Sequence, residues 1–128
     1  MTFSQFVDTD VFLTNDQTLK SLVNTNYPVV APMLETQSLY SNYWCGMGDD
    51  FYYKRTEDYR PIRNREDKNC HRVILVHSCF LVDLRQSESL LLTFDPSGIR
   101  GYNGPHDDII TFAISAFWNG KILAAAPY

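Results

Sequence analysis

The chain has 128 residues, of which 45% are hydrophobic and 20% charged, so it is the size of one domain with one core. Eleven basic residues against 15 acidic ones leave a formal charge of −4, which argues against a nucleic-acid binder that needs a basic face. No apolar run reaches the roughly 18 to 20 residues of a membrane span, and MTFSQFVDTD lacks the basic and apolar regions of a signal peptide.

In chain order, Phe3, Phe6 and Val7 read as the end of a strand that stops at Asp8-Thr9-Asp10, since aspartates favour strand exits over strand interiors. Thr14-Asn15-Asp16-Gln17 has a capping-box pattern, and Leu19, Leu22 and Val23 follow at helical spacing, predicting a short helix to about Val23. After a turn over Asn24 to Pro28, Val29 to Ala31 reads as a buried strand closed by Pro32. Val73 to Val76 and Phe80 to Val82 are two further β-type runs. Ile109, Phe112, Ala113, Ala116 and Phe117 keep i, i+3, i+4, i+7, i+8 spacing behind Asp107-Asp108, predicting a helix that ends before Gly120. A last strand, Ile122 to Ala126, completes an alternation that predicts a mixed α/β sheet.

Several side chains carry two readings. Asp8-x-Asp10 at a strand end offers hard oxygen ligands for Mg²⁺ or Mn²⁺ against a diphosphate, or is a solvated turn. With 11 aspartates in the chain, about one such tripeptide is expected by chance. Asp107 and Asp108 are either helix-capping acids or include a general base for an acceptor hydroxyl, and spacing does not choose between them. His77 could complete a metal site or hydrogen-bond a phosphate, against the reading of a satisfied structural histidine. The aromatic stretch from Leu39 to Gly48 suits either ring stacking on a ligand or core packing. Seven of the 11 basic residues fall between Lys54 and Arg72, a positive face for a diphosphate or an acidic partner, or a solvated loop. Cys45, Cys70 and Cys79 are too few for a disulfide framework and lack zinc-knuckle spacing.

Five ordered blocks, FVDTDVFLTNDQTL, PVVAPMLETQSLYSNYWCGM, FYYKRTEDYRPIRNR, VHSCFLVDLR and HDDIITFAIS, resemble the collagen galactosyltransferase family, glycosyltransferase family 25. That family includes procollagen galactosyltransferases and the cerebral endothelial cell adhesion molecule. The resemblance implies the C-terminal part of a GT-A-type, Rossmann-like glycosyltransferase domain, with residues 1–128 forming one truncated unit that starts just before the D-x-D. It further implies transfer of galactose from UDP-galactose to collagen hydroxylysine with inversion, Mn²⁺ as cofactor, and the endoplasmic reticulum lumen as compartment.

Carried over by position, the resemblance makes Asp8 and Asp10 metal ligands, with His77 of the VHSTF-like block beside them. It makes Asn42, Trp44 and Gly46 donor-binding, and Asp107-Asp108 catalytic. The sequence departs from the family at His106, at Cys79, and at Phe94 to Gly98, where a proline-rich segment is expected. The family pattern carries Cys45 and Cys70, and the resemblance implies a bridge between them. The isolated chain is expected to be weak or inactive. The competing expectation is an inactive binding or adhesion module for a collagen-like partner.

Overall fold

Buried apolar segments organise the molecule around a five-stranded mixed sheet. The computed structural model describes residues 2–36, 41–66, 69–118 and the strand backbone at 123–126. Its strands are β1 (Phe3–Val7), β2 (Val29–Pro32), β3 (Tyr43–Trp44), β4 (Gly46–Met47), β5 (Tyr53–Lys54), β6 (His71–Val73), β7 (Leu75–Val76), β8 (Cys79–Asp83) and β9 (Leu123–Ala126). Helices α1 (Thr18–Asn24), α2 (Tyr59–Arg63) and α3 (Asp108–Trp118) and two 3₁₀ turns complete the described elements.

The main sheet runs β1-β8-β2-β9-β6, with β2 and β9 parallel and every other neighbour antiparallel. Strands β2 and β8 are buried at every position, as continuous apolar runs require when both faces are covered. Alternation then sorts the core. Val29, Ala31, Phe80 and Val82 face the side occupied by α3, while Val30 and Leu81 face Leu22 of α1.

Residues 110–116 of α3 are all buried, although the sequence predicts one apolar face. The sheet covers one side of this helix and the segment before it covers another. Phe94 stacks on Phe112 at 4.7 Å, and the Thr93 amide donates to Ser115 Oγ at 3.1 Å. Phe117 is correspondingly left exposed.

Three local expectations change. The α1 helix starts at Thr18 because Asn15 spends its side chain on the Gln17 amide in a turn, at 2.9 Å, so Leu19 faces water. The run Val73 to Val76 is two strands: β6 pairs with β9 in the main sheet, and β7 pairs with β3 in a separate two-stranded sheet. The switch falls at Ile74, whose amide donates to the Trp44 carbonyl. Cys45 and Cys70 are both free, as is Cys79, which corrects the expected bridge. Cys45 packs with the α3-side core and Cys70 with the α1-side core, so the sheet lies between them. Leu39, Tyr40, Gly120 and Ile122, named in the predicted elements, lie outside the described residues.

Candidate active site

The strand directions gather the chain's chemistry on one edge of the sheet. β1 and β2 end there, at Val7 and Pro32, and β8 begins there, at Cys79. The first half of α3 lies toward the same end. Phe112 meets Phe80 at 5.1 Å, Phe80 stacks on Phe6 at 4.8 Å, and Phe6 sits just before the exit of β1. Ligands of α/β sheets commonly sit beyond the carboxyl ends of strands.

Asp8 and Asp10 leave β1 exposed, held by the Asp8 amide donating to the Ser78 carbonyl at 2.7 Å. A cavity of about 380 Å³ opens beside them, lined by Asp10, Ser41, Asn42, His77 and Ser78 among others. Three of the residues singled out in the sequence, Asp10, Asn42 and His77, therefore share one cavity. Asp8 stands close enough for its charge to act on His77 and Cys79.

His77 is held by hydrogen bonds. Its Nδ1 lies 2.8 Å from Ser78 Oγ, and the ring also bonds the Ser41 backbone. Burial pushes its pKa below the ordinary 6.5, opposed by the Asp8 charge and the bond to Ser41. Among the described residues no group of three or more His, Cys, Asp or Glu side chains gathers closely enough to hold a metal ion. The carboxylates of Asp8 and Asp10 suit a hard divalent cation only if water and ligand oxygens complete the shell, while His77 already uses its ring elsewhere.

Ser78 turns the chain between β7 and β8 at φ 67°, with the Cys79 amide donating to the His77 carbonyl at 2.7 Å. This is a γ-turn of the uncommon positive-φ hand, strained for any residue with a Cβ. Nothing in the sequence flags it, since glycine is the usual marker of such a backbone.

The aromatic block is largely scaffold. Asn42 is 3% exposed; its Nδ2 donates to the Pro32 carbonyl at 2.8 Å and its Oδ1 accepts from the Leu34 amide at 3.0 Å. Its own carbonyl accepts from the His77 amide, so Asn42 joins the exit of β2 to the end of β7. Trp44 is buried between Tyr53 and Tyr59, at 4.8 and 5.6 Å, and lines none of the cavities described. Gly46 is small because a Cβ there would collide with Thr56 Cγ2. Burial, then the charge of Asp58, pushes the neighbouring Cys45 thiol up to about 11, which keeps it protonated.

Asp107 and Asp108 differ in what they touch. Asp107 Oδ1 accepts from the amides of Ile109 and Ile110, at 3.0 and 3.2 Å, the geometry of an N-cap. Asp108, the first residue of α3, is exposed. Neither lines the cavity beside Asp10. No described helix is long and apolar enough to cross a membrane.

A strand-end carboxylate pair and a polar cavity at the edge of a mixed sheet suit a domain that handles a charged small-molecule donor. Comparison with known proteins names the family: the model for "Glycosyltransferase family 25, N-terminal domain" matches residues 2–123. The chain is 51% identical over 108 residues to the inactive glycosyltransferase 25 family member 3 of Mus musculus, covering 84% of this chain and 18% of that protein. It is 51% identical over 110 residues to procollagen galactosyltransferase 1-B of Xenopus laevis, covering 86% and 18%. A glycosyltransferase 25 family member of Anopheles gambiae matches at 47% over 117 residues, covering 90% and 20%. The chain belongs to glycosyltransferase family 25. It spans about a fifth of the length of these relatives.

Proposed function

We propose that this chain contributes the donor-diphosphate and acceptor-activating part of a GT-A-type galactosyltransferase that uses UDP-galactose and acts on collagen-like hydroxylysine in the endoplasmic reticulum lumen. The observation that carries the reading is the meeting of Asp10, His77 and Asn42 at one cavity, beside the strand end that bears Asp8. The match to procollagen galactosyltransferase 1-B supports the choice of sugar and acceptor.

In this reading Asp8 and Asp10 would hold Mn²⁺, which would supply positive charge against the diphosphate. His77 and Ser78 line the same cavity; the His77 ring, held by Ser78 and Ser41, orients the Ser78 hydroxyl, which is placed to meet a phosphate or sugar oxygen. Asn42 positions them, because its carbonyl fixes the His77 amide and its side chain fixes the floor at Pro32 and Leu34. Asp108, free of the capping duty that Asp107 performs, takes the proton from the acceptor hydroxyl as that oxygen bonds the anomeric carbon and the diphosphate leaves.

The test is a thermal melt with Mn²⁺ and UDP-galactose. Ligand at about 100 times its Kd stabilises by about 2.7 kcal/mol, which is roughly 10 °C for a chain of this size. Wild type should shift by that order and the Asp8→Ala, Asp10→Ala variant should not. A wild-type shift that survives in the variant overturns the donor site.

A second reading, an inactive module that binds a collagen-like partner, is favoured by the name of the mouse relative and by the lack of a three-residue metal cluster among the described residues. Collagen binding with no Mn²⁺–UDP shift would select it.

A further inference from the structure

The cavity beside Asp10 is one part of a longer trough. It shares Leu34, Glu35, Thr36 and Ser41 with a cavity of about 220 Å³ that reaches Arg63 and Arg65. Arg63 in turn lines a third cavity, of about 140 Å³, together with Arg55, Tyr59, Arg60 and Asn64. The trough thus runs from a carboxylate end to an arginine end, with Glu35 the acid on its middle wall.

The fold brings the arginines together. Tyr59 and Ile62 anchor α2 in the core, which turns Arg60 and Arg63 toward the same side as Asn64. Arg55 comes from beyond β5, its guanidinium 5.8 Å from the Trp44 ring centre and 5.5 Å from that of Tyr59. Stacking on two rings presets the plane of that guanidinium. Tyr43, fully buried, leaves its hydroxyl without a hydrogen-bond partner among the described residues, and the charges of Arg63 and Arg65 reach it.

We propose that the arginine end of this trough is a carboxylate subsite, which receives a Glu or Asp side chain of the polypeptide acceptor whose hydroxyl is carried at the Asp10 end. Arg55, Arg60 and Arg63 line one small cavity, a concentration of positive charge that complements an oxyanion. Planar forks match a carboxylate two bonds at a time. A cation on Asp8 and Asp10 serves the diphosphate of the donor, which leaves the arginines for a second anion. The identity of the occupant as acceptor rests on the transferase reading; the anion site itself does not.

Peptide binding without metal or donor tests this. A short Gly-Pro-Glu repeat peptide and its Gly-Pro-Gln counterpart are titrated into the chain and followed by tryptophan fluorescence, because Trp44 lies under Arg55. The Glu peptide should bind and the Gln peptide should not, with affinity falling as salt rises. Arg60→Gln, at an exposed side chain that leaves folding intact, should weaken binding by roughly fivefold, the equivalent of about 1 kcal/mol for one exposed pair. Arg60→Gln with Arg63→Gln should weaken it further, and Arg60→Lys should recover part of the loss.

Equal binding of the two peptides, or wild-type affinity in Arg60→Gln, overturns the proposal. So does a loss of Mn²⁺–UDP binding in Arg60→Gln with peptide binding intact, which would assign the oxyanion to the donor. The Asp8→Ala, Asp10→Ala variant should keep peptide binding, so failure of the donor site and failure of this subsite give different results.

Discussion

Replacing Asn42 by alanine distinguishes a scaffold amide from a donor contact. The side chain spans two backbone groups, donating to the Pro32 carbonyl at 2.8 Å and accepting from the Leu34 amide at 3.0 Å. Asn42→Ala removes both bonds and leaves the Leu34 amide without its acceptor. Two hydrogen bonds at about 1 kcal/mol each, with a further penalty of about 1 kcal/mol for the orphaned Leu34 amide, give a loss of about 3 kcal/mol. That is roughly a 10 °C fall in Tm for a domain of this length. Urea unfolding at unchanged m value is the assay.

Asn42→Asp sharpens the same test. A carboxylate still accepts from Leu34 but faces the Pro32 carbonyl with no proton to donate. Its neutral form restores the donor, so its folded-state pKa is raised, and the stability deficit of the variant should shrink as pH falls through that value. A loss below about 0.5 kcal/mol for Asn42→Ala, together with abolished Mn²⁺–UDP binding, would refute the scaffold argument and make Asn42 a donor ligand.

Asp107→Ala should cost about 1 kcal/mol of stability through the lost cap, whereas Asp108→Asn should stay within about 0.5 kcal/mol and abolish any galactose transfer. His77 has a folded-state pKa below the ordinary 6.5, so the unfolded chain binds the extra proton between those two values; stability should rise with pH across that window, and His77→Gln should flatten the slope in urea titrations. Ser78→Gly should be more stable than Ser78→Ala by about 1 kcal/mol, since both lose the bond to His77 but only glycine escapes the strain of a φ of 67°.

Much of the main sheet was legible because its central strands are unbroken apolar runs with strong punctuation. Pro32 ends β2 as expected, and β8 needed only one more residue on each side. The break at Ile74 had no sequence signature: four apolar residues in a row have no alternation to reveal that the chain leaves one sheet for another. The start of α1 was misplaced because Asn15 carries a turn, and Asx turns use the same residues as helix caps.

The site divides in the same way. A strand followed by two acids put Asp8 and Asp10 at an exit, and they are there. For Asn42, Trp44 and Gly46 the resemblance implied donor binding. Their surroundings show a backbone bridge, an aromatic stack and a close approach, which local spacing does not encode. The arginines of α2 were legible as part of the basic stretch from Lys54 to Arg72, whereas the place of Ser78 at the cavity arises only through tertiary packing.

The edge that bears Asp8 and Ser78 is poorly chosen for stability alone. A glycine at position 78 would relieve the turn, and the exposed pair at Asp8 and Asp10 adds nothing to the core. A half-buried His77 lowers stability in acid. Each of these costs is small, and all three sit at one end of the sheet, beside one cavity; the opposite end holds the bidentate Asp83–Arg85 pair at 3.0 Å, next to a turn in which Asn26 also takes a positive φ of 60°. Strain and partly buried ionisable groups persist where a ligand or a reacting group needs them. The meeting of a strained turn, an exposed acid pair and a partly buried histidine beside this cavity supports the working end proposed above on grounds separate from any likeness to known transferases.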